Sequence, residues 1–224
     1  MDEANYGLGA LPSPPDDRDY PVEPVLAALP AMAALPDRYS VRRLGPVLNQ
    51  HDTPMCVAFS SSSLKAMQDW EDQHRWFNFD EPKFFKRIGG NAQGAYPRAA
   101  LEEMLKVGYP TQNGRAGKHR IKAYYAVPIR PKMIKQVIRR LGPVLLSTEW
   151  AQSWFHPSAS GLLPKFDRSI GGHAVVVFGW NTRGLRFRNS WGRGWGKDGN
   201  GILPYDELDH VKEVWKSHDD IVKG

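Results

Sequence analysis

At 224 residues and 25.3 kDa, the chain is long enough to bury a substantial core as one domain or two tightly joined lobes. Hydrophobic residues make up 41%, mean hydropathy is -0.51, and no apolar run reaches the length that spans a bilayer. The net charge of +6 and pI near 9.4 would suit an anionic partner, but the basic residues are scattered. Their densest cluster, Lys132, Lys135, Arg139 and Arg140, falls on one amphipathic helix, where a solvated face is the commoner meaning, so nucleic acid is not an expected partner.

Residues 1–35 are rich in Pro and Ala. Met1 to Asn5 is acidic and leads into no apolar core, so it does not read as a secretory signal. The prolines up to position 24 predict an extended or turning leader without helix. Leu8, Leu11, Tyr20, Val22 and Val25 offer apolar anchors that would let this leader lie along a folded body rather than remain disordered.

From about 53 to 108 the pattern is helical. Thr53-Pro54-Met55-Cys56 reads as a helix start, with Thr53 as cap and Pro54 in the first turn, and no Gly or Pro interrupts Val57 to about Arg75. A second helix is expected over Arg98 to Val107. Short strand-like runs follow at Ala123–Val127, Val144–Thr148, Ala174–Trp180 and Leu185–Arg188, interrupted by a helix from Pro131 to Leu141 that Gly142-Pro143 stops. Gly199 to Tyr205 reads as a turn into a late strand, and the tail after Asp206 as a short charged helix. Helices first and strands second predict an α+β protein with two segregated lobes.

Cys56 is the only cysteine, so no intramolecular disulfide holds the fold. A lone cysteine is usually a small buried hydrophobe. In the first turn of a long helix, however, the dipole and unpaired N–H groups favour a thiolate and lower the thiol pKa from roughly 8.5. Two further segments point the same way. Gly171-Gly172-His173 opens an apolar strand, and Arg188-Asn189-Ser190-Trp191-Gly192 closes the next. The short turn between them predicts a hairpin in which His173 and Asn189, equidistant from Asn181, face each other across the ladder. Taken singly, His173 reads equally as a satisfied core histidine and Asn189 as a turn residue. A thiol, an imidazole and an amide together are the nucleophile, base and orienting group of covalent catalysis.

Asn49-Gln50 followed by Cys56-Val57-Ala58-Phe59-Ser60 resembles the active-site segment of the papain-like cysteine peptidases. Gly171-Gly172-His173-Ala174 resembles the histidine segment of that family, and Asn189-Ser190-Trp191-Gly192-Arg193-Gly194-Trp195-Gly196 its asparagine segment. The chain is most similar to short bacterial and archaeal members without disulfides. The resemblance implies a helical lobe (about 53–115) and an antiparallel β-barrel-like lobe (about 116–210) within a peptidase domain of 36–224, meeting at a cleft. It further implies that Cys56 attacks the scissile carbonyl, His173 moves the proton, Asn189 orients His173 under Trp191, and Gln50 helps hold the oxyanion. Gly94, Ala95, Tyr96 and Pro97 resemble the stretch that holds the substrate backbone, with Ala95 where a second Gly is usual. Tyr96 and Pro97 would line the pocket for the side chain preceding the scissile residue, and Gly172 would leave that pocket roomy. Either is equally well explained as a turn before a helix.

Departures from the pattern are His51-Asp52 where a Gly usually follows Gln50, Thr53-Pro54-Met55 before the nucleophile, and Val57 where Trp is common. They touch specificity and leave every catalytic group in place. The expected function is a cysteine endopeptidase acting on protein or peptide, with residues 1–35 as a short propeptide or plug of the cleft. Rival readings are a thiol transpeptidase or amidase, and an inactive binding module. No cofactor is expected, and no His or acidic spacing around Cys56 suggests a metal. A monomer in the cytoplasm is the expectation for a chain with neither signal nor disulfide.

Overall fold

The computed structural model describes residues 6–114 and 119–219; Met1–Asn5 and the tail beyond Asp219 lie outside the described residues. The leader is more structured than its prolines predict. It runs extended past the body, then forms the five-residue helix α1 (Glu23–Ala27), with Pro24 in the first turn, where its missing N–H costs nothing. Val22 and Leu26 are buried in the common core. Backbone bonds from Val22 N to Ala126 O and from Ala126 N to Tyr20 O fasten this stretch to the β lobe, and Arg140 donates to Leu26 O and Pro30 O. A two-residue strand, β1 (Tyr39–Ser40), follows.

The helical lobe is built on α2 (Cys56–Gln73), with α3 (Glu81–Arg87) and α4 (Pro97–Lys106) against it. The start of α2 differs from the sequence reading. Met55 is the N-cap without a side-chain bond, because Thr53 Oγ1 instead donates to Gln50 O at 2.6 Å, closing the preceding turn. The helix stops at His74, which takes the left-handed conformation at φ 55°. Ser60–Ser63 are all buried, small enough for α2 to pack closely on its neighbours, and Ser60 Oγ donates to Ala174 O at 2.6 Å.

The β lobe carries β2 (Ile121–Ala126), the amphipathic helix α5 (Pro131–Leu141), β3 (Val144–Ala151), β4 (Ser169–Trp180), β5 (Gly184–Arg188), β6 (Asn200–Pro204) and β7 (Val211–Asp219). The strands form an antiparallel sheet in the order β2-β7-β3-β4-β5-β6, with β1 pairing β4 beside this path. The sheet stays open, so the barrel-like closure implied by the resemblance is not formed: β2 and β6 remain separate edges. The expected charged helix after Asp206 is corrected as well. Only Tyr205–His210 is helical, as a 3-10 turn, and β7 then inserts between β2 and β3. Val214, Trp215, Lys216 and Ser217 are consecutively buried, because a central strand is covered on both faces. Lys65, inside α2, pairs with Asp69 one turn on and with Asp219 at the end of β7, and Asp69 meets His119 at 2.6 Å. This buried charge cluster ties the two lobes together away from the cleft.

Candidate active site

Two walls meet where α2 packs on β4. Cys56, fully buried, opens the helix, while His173 lies within β4 next to Ala174, whose carbonyl anchors Ser60 one helical turn beyond Cys56. The histidine–asparagine hairpin forms, in a register shifted from the expected one. Val176 pairs with Arg188, which places Asn189 just beyond the end of β5 and diagonal to His173 rather than opposite it. The amide bridges that offset: His173 Nε2 and Asn189 Oδ1 are 2.7 Å apart. Oδ1 also accepts from Ser190 N at 2.8 Å, which identifies it as the carbonyl oxygen, so Nε2 carries the proton it donates. Nδ1 makes no hydrogen bond and is left as the basic nitrogen.

Aromatic rings enclose this pair. Trp191 stacks on His173 with centroids 4.3 Å apart, and Trp150 meets the imidazole edge-on at 4.7 Å. Covering of this kind keeps water from competing for the His173–Asn189 bond. Gln50 is held equally firmly. Its Oε1 accepts from Ser190 Oγ at 2.6 Å, and its Nε2 donates to Thr53 O at 2.7 Å and to Gly7 O at 3.1 Å. His51, standing where the family usually has Gly, adopts φ 54°, a conformation that glycine reaches without strain.

The leader supplies contacts that the sequence reading did not name residue by residue. Tyr6 stacks on Trp191 at 4.7 Å, and Trp191 Nε1 donates to the same Gly7 O that Gln50 reaches. Gly9 and Ala10 both donate to Gly172 O, Ala95 N donates to Gly9 O, and Leu11 N donates to Ala95 O. Ala10 thus pairs with Ala95 as a parallel bridge. The fit leaves no room for a side chain at the crossing: a Cβ on Gly9 would stand 2.5 Å from Pro54 O, and one on Gly172 only 2.0 Å from Ala10 O. Besides the apolar anchor Leu8, the signal in the sequence is the alternation Gly7-Leu8-Gly9, in which Leu8 packs at Gly171 while the glycines pass the backbone of Asp52–Pro54.

Each residue singled out as substrate-holding lies along this crossing or at its edge. Gly94 and Ala95 flank the leader backbone, Gly172 accepts from it, and Trp191 covers it. Pro97 is buried as the first residue of α4, while Tyr96 is partly exposed at that helix's N-cap.

Burial reverses the electrostatics expected of the nucleophile. The Cys56 thiol is pushed up to about 12 by desolvation, against backbone hydrogen bonds involving Ala174, Val57, Cys56 itself and Gly9. His173 is pulled down to about 4, again mainly by burial, with the Asn189 bond opposing. Under the leader, burial therefore favours the neutral thiol and the neutral imidazole. The helix dipole alone did not decide the matter, because the thiol is wholly removed from water. Among the described residues no cluster of three His, Cys, Asp or Glu could hold a metal, and no helix is long and apolar enough to cross a membrane.

An open antiparallel sheet, a helical lobe and a Cys–His–Asn constellation at their junction are the architecture of a thiol peptidase. The model of the papain family cysteine proteases matches residues 83–207, more than half of the chain, and the chain belongs to that family. That match contains His173 and Asn189 and begins after Cys56 and Gln50. Over 76 residues the chain is 32% identical to a cysteine protease of Blomia tropicalis, covering 31% of this chain and 23% of that protein. It is 23% identical to human cathepsin L2 over 218 residues, covering 81% of this chain and 64% of the relative, so it spans less than two thirds of either curated protein. Among solved structures it is similar to xylellain, a cysteine protease from Xylella fastidiosa, with a TM-score of 0.80 at 20% identity over 96% of this chain and 97% of that one. At that identity the likeness concerns the fold.

Proposed function

We propose that the chain is a cysteine endopeptidase whose own leader blocks its cleft until displaced. The observation that carries the catalytic reading is the oriented His173–Asn189 pair, with Nδ1 free and Cys56 on the adjoining helix start. In the open enzyme, Cys56 passes its proton to His173 Nδ1, and the sulfur attacks the scissile carbonyl carbon. The C=O electrons move to oxygen, where Gln50 Nε2 and a backbone N–H at Cys56 receive the charge. Collapse of this intermediate breaks the C–N bond, His173 protonates the departing amine, and a thioester remains on Cys56. Water, deprotonated by His173, releases the acid and restores the thiol. Loss of one oxyanion donor such as Gln50 would cost about 3 kcal/mol in the barrier.

The blocked state is supported by what the leader occupies. Gly7 O takes the Gln50 donor, Gly9 and Ala10 take the Gly172 acceptor, and Ala95 spends both its backbone groups on residues 9–11. Those are the groups a substrate would use, so residues 6–11 and a substrate exclude each other. The same chemistry could resolve the thioester with an amine, making a transpeptidase, and product masses with and without an amine acceptor separate the two.

A thiol-reactive epoxysuccinyl compound and intact-mass measurement test the proposal. Full-length Gly9→Val, in which the new side chain collides with Pro54 O, should take up one equivalent rapidly, the parent protein slowly, and Cys56→Ala none. No adduct on Gly9→Val would overturn the catalytic assignment; equal rates for parent and Gly9→Val would overturn the block.

A further inference from the structure

Gln50 opens a tight turn whose closure bears directly on its amide. Gln50, His51, Asp52 and Thr53 form this turn, with Thr53 N donating to Gln50 O at 3.2 Å and His51 in the left-handed region at φ 54°. A residue with a side chain is strained there, and such a conformation persists only where neighbouring bonds over-determine it. Cys56 is the only cysteine, so no disulfide ties the turn down. Asn49 Oδ1 accepts from His51 N at 2.9 Å on one side. On the other side the hold comes from Thr53.

The Thr53 hydroxyl donates to Gln50 O at 2.6 Å, beside its own N–H, and its carbonyl accepts from Gln50 Nε2 at 2.7 Å. One residue thus grips both the backbone and the side chain of Gln50. The other end of the amide is fixed by Ser190, whose Oγ donates to Oε1 at 2.6 Å. A primary amide nitrogen carries two hydrogens. With Oε1 on Ser190 and one hydrogen on Thr53 O, the plane of the amide is set, and the direction of the second hydrogen with it. Under the leader that second hydrogen meets Gly7 O, at the longer distance of 3.1 Å. A Cβ on Gly7 would stand 2.0 Å from Thr53 O, so the leader presses on the same carbonyl. When residues 6–11 leave, the Gly7 bond goes with them, while the bonds inside the turn need no leader.

We propose that Thr53 is a positioning residue of this peptidase: its hydroxyl keeps the turn closed, and its carbonyl aims the released Gln50 N–H at the oxyanion. The inference rests on the peptidase reading and on Gln50 as an oxyanion donor. Thiol–disulfide exchange separates this role from general damage to the site. When the Cys56 sulfur attacks dipyridyl disulfide, a new S–S bond forms, the old one breaks, and thiopyridone leaves with the proton. No carbonyl takes part, so Gln50 has no oxyanion to hold.

The test uses full-length Gly9→Val, the fluorogenic peptide this variant cleaves fastest in a mixed-sequence library, and thiopyridone release. Thr53→Val, which keeps the shape and removes the hydroxyl, should lower kcat about tenfold with KM and the exchange rate each within about twofold. Thr53→Ser, which restores the hydroxyl, should recover most of the loss. Should Thr53→Val not fold, Thr53→Ala is read in its place. In a Gln50→Ala background, itself slower by about a hundredfold, Thr53→Val should change kcat less than about twofold. Unchanged kcat in Thr53→Val, equal loss of hydrolysis and exchange, or full additivity with Gln50→Ala would overturn the proposal. Should Gly9→Val cleave no peptide, the side-chain amide signals of Gln50 in its NMR spectrum decide. Two distinct proton shifts that collapse together in Thr53→Val and return in Thr53→Ser would sustain the hold on Gln50 while the peptidase reading fails. Signals that do not move would end it.

Discussion

The two halves of the leader are held to the same body by different physics. Residues 6–13 cross the cleft on backbone hydrogen bonds, a stacked tyrosine and glycines that admit no side chain. Residues 20–30 are held by buried Val22 and Leu26, a pair of strand-like bonds to Ala126 and the Arg140 fork. Backbone bonds exchange readily for those of another peptide, whereas buried apolar area has no such substitute. On the proposed reading the first half is displaced and the second remains, so the block lifts without dismantling the core.

Several substitutions would break or sharpen this contrast. The largest effect is expected from Gly9→Val, which should raise turnover of a peptide substrate at least tenfold while leaving the thermal midpoint within a few degrees. An unfolded product would mean that the crossing belongs to the core after all. Acid should act on the same half. Burial holds His173 at about 4 against an ordinary 6.5, so the part of that burial the leader supplies favours the cover above pH 6.5 and is lost as pH falls toward 4. For Cys56, raised from 9.0 to about 12, the sign is opposite, and support is lost as pH rises through that interval. Alkylation of Cys56, expressed relative to Gly9→Val at each pH, should therefore be most strongly suppressed between about 6.5 and 9.

In the second half, Leu26→Ala should lower the unfolding free energy by about 2 kcal/mol, with little change in the degree of blocking, as read by denaturant titration and activity side by side. The smallest effect is expected from Tyr6→Ala, which removes the stack on Trp191, worth about 1 kcal/mol, and should speed alkylation of Cys56 several-fold without altering stability.

The candidate catalytic side chains were legible because their chemistry is local. A cysteine in the first turn of an uninterrupted helix and a His and an Asn on successive strands are patterns of a few residues each. The hairpin was legible too, although its register was not. Pairing Val176 with Arg188 depends on a bulge between Val177 and Gly179, which no residue type announced. β7 was misread because its alternating charges suit a solvated helix as well as a strand. Its burial on both faces comes from β2 and β3, distant in sequence.

By itself, then, the sequence determined the class of fold, the candidates for nucleophile, base and orienting amide, and the likeness to a family of thiol peptidases. Periodicity, capping residues and short motifs act over one or two turns of chain, and they survive without tertiary context. Only the tertiary structure decided that the sheet remains open, that Gly7 O reaches Gln50, and that burial pushes the thiol up and the imidazole down. These depend on groups between 43 and 184 positions apart being brought within hydrogen-bond distance, and on the removal of water from between them. Burial and long-range contact are properties of the packed molecule, and no local pattern carries them.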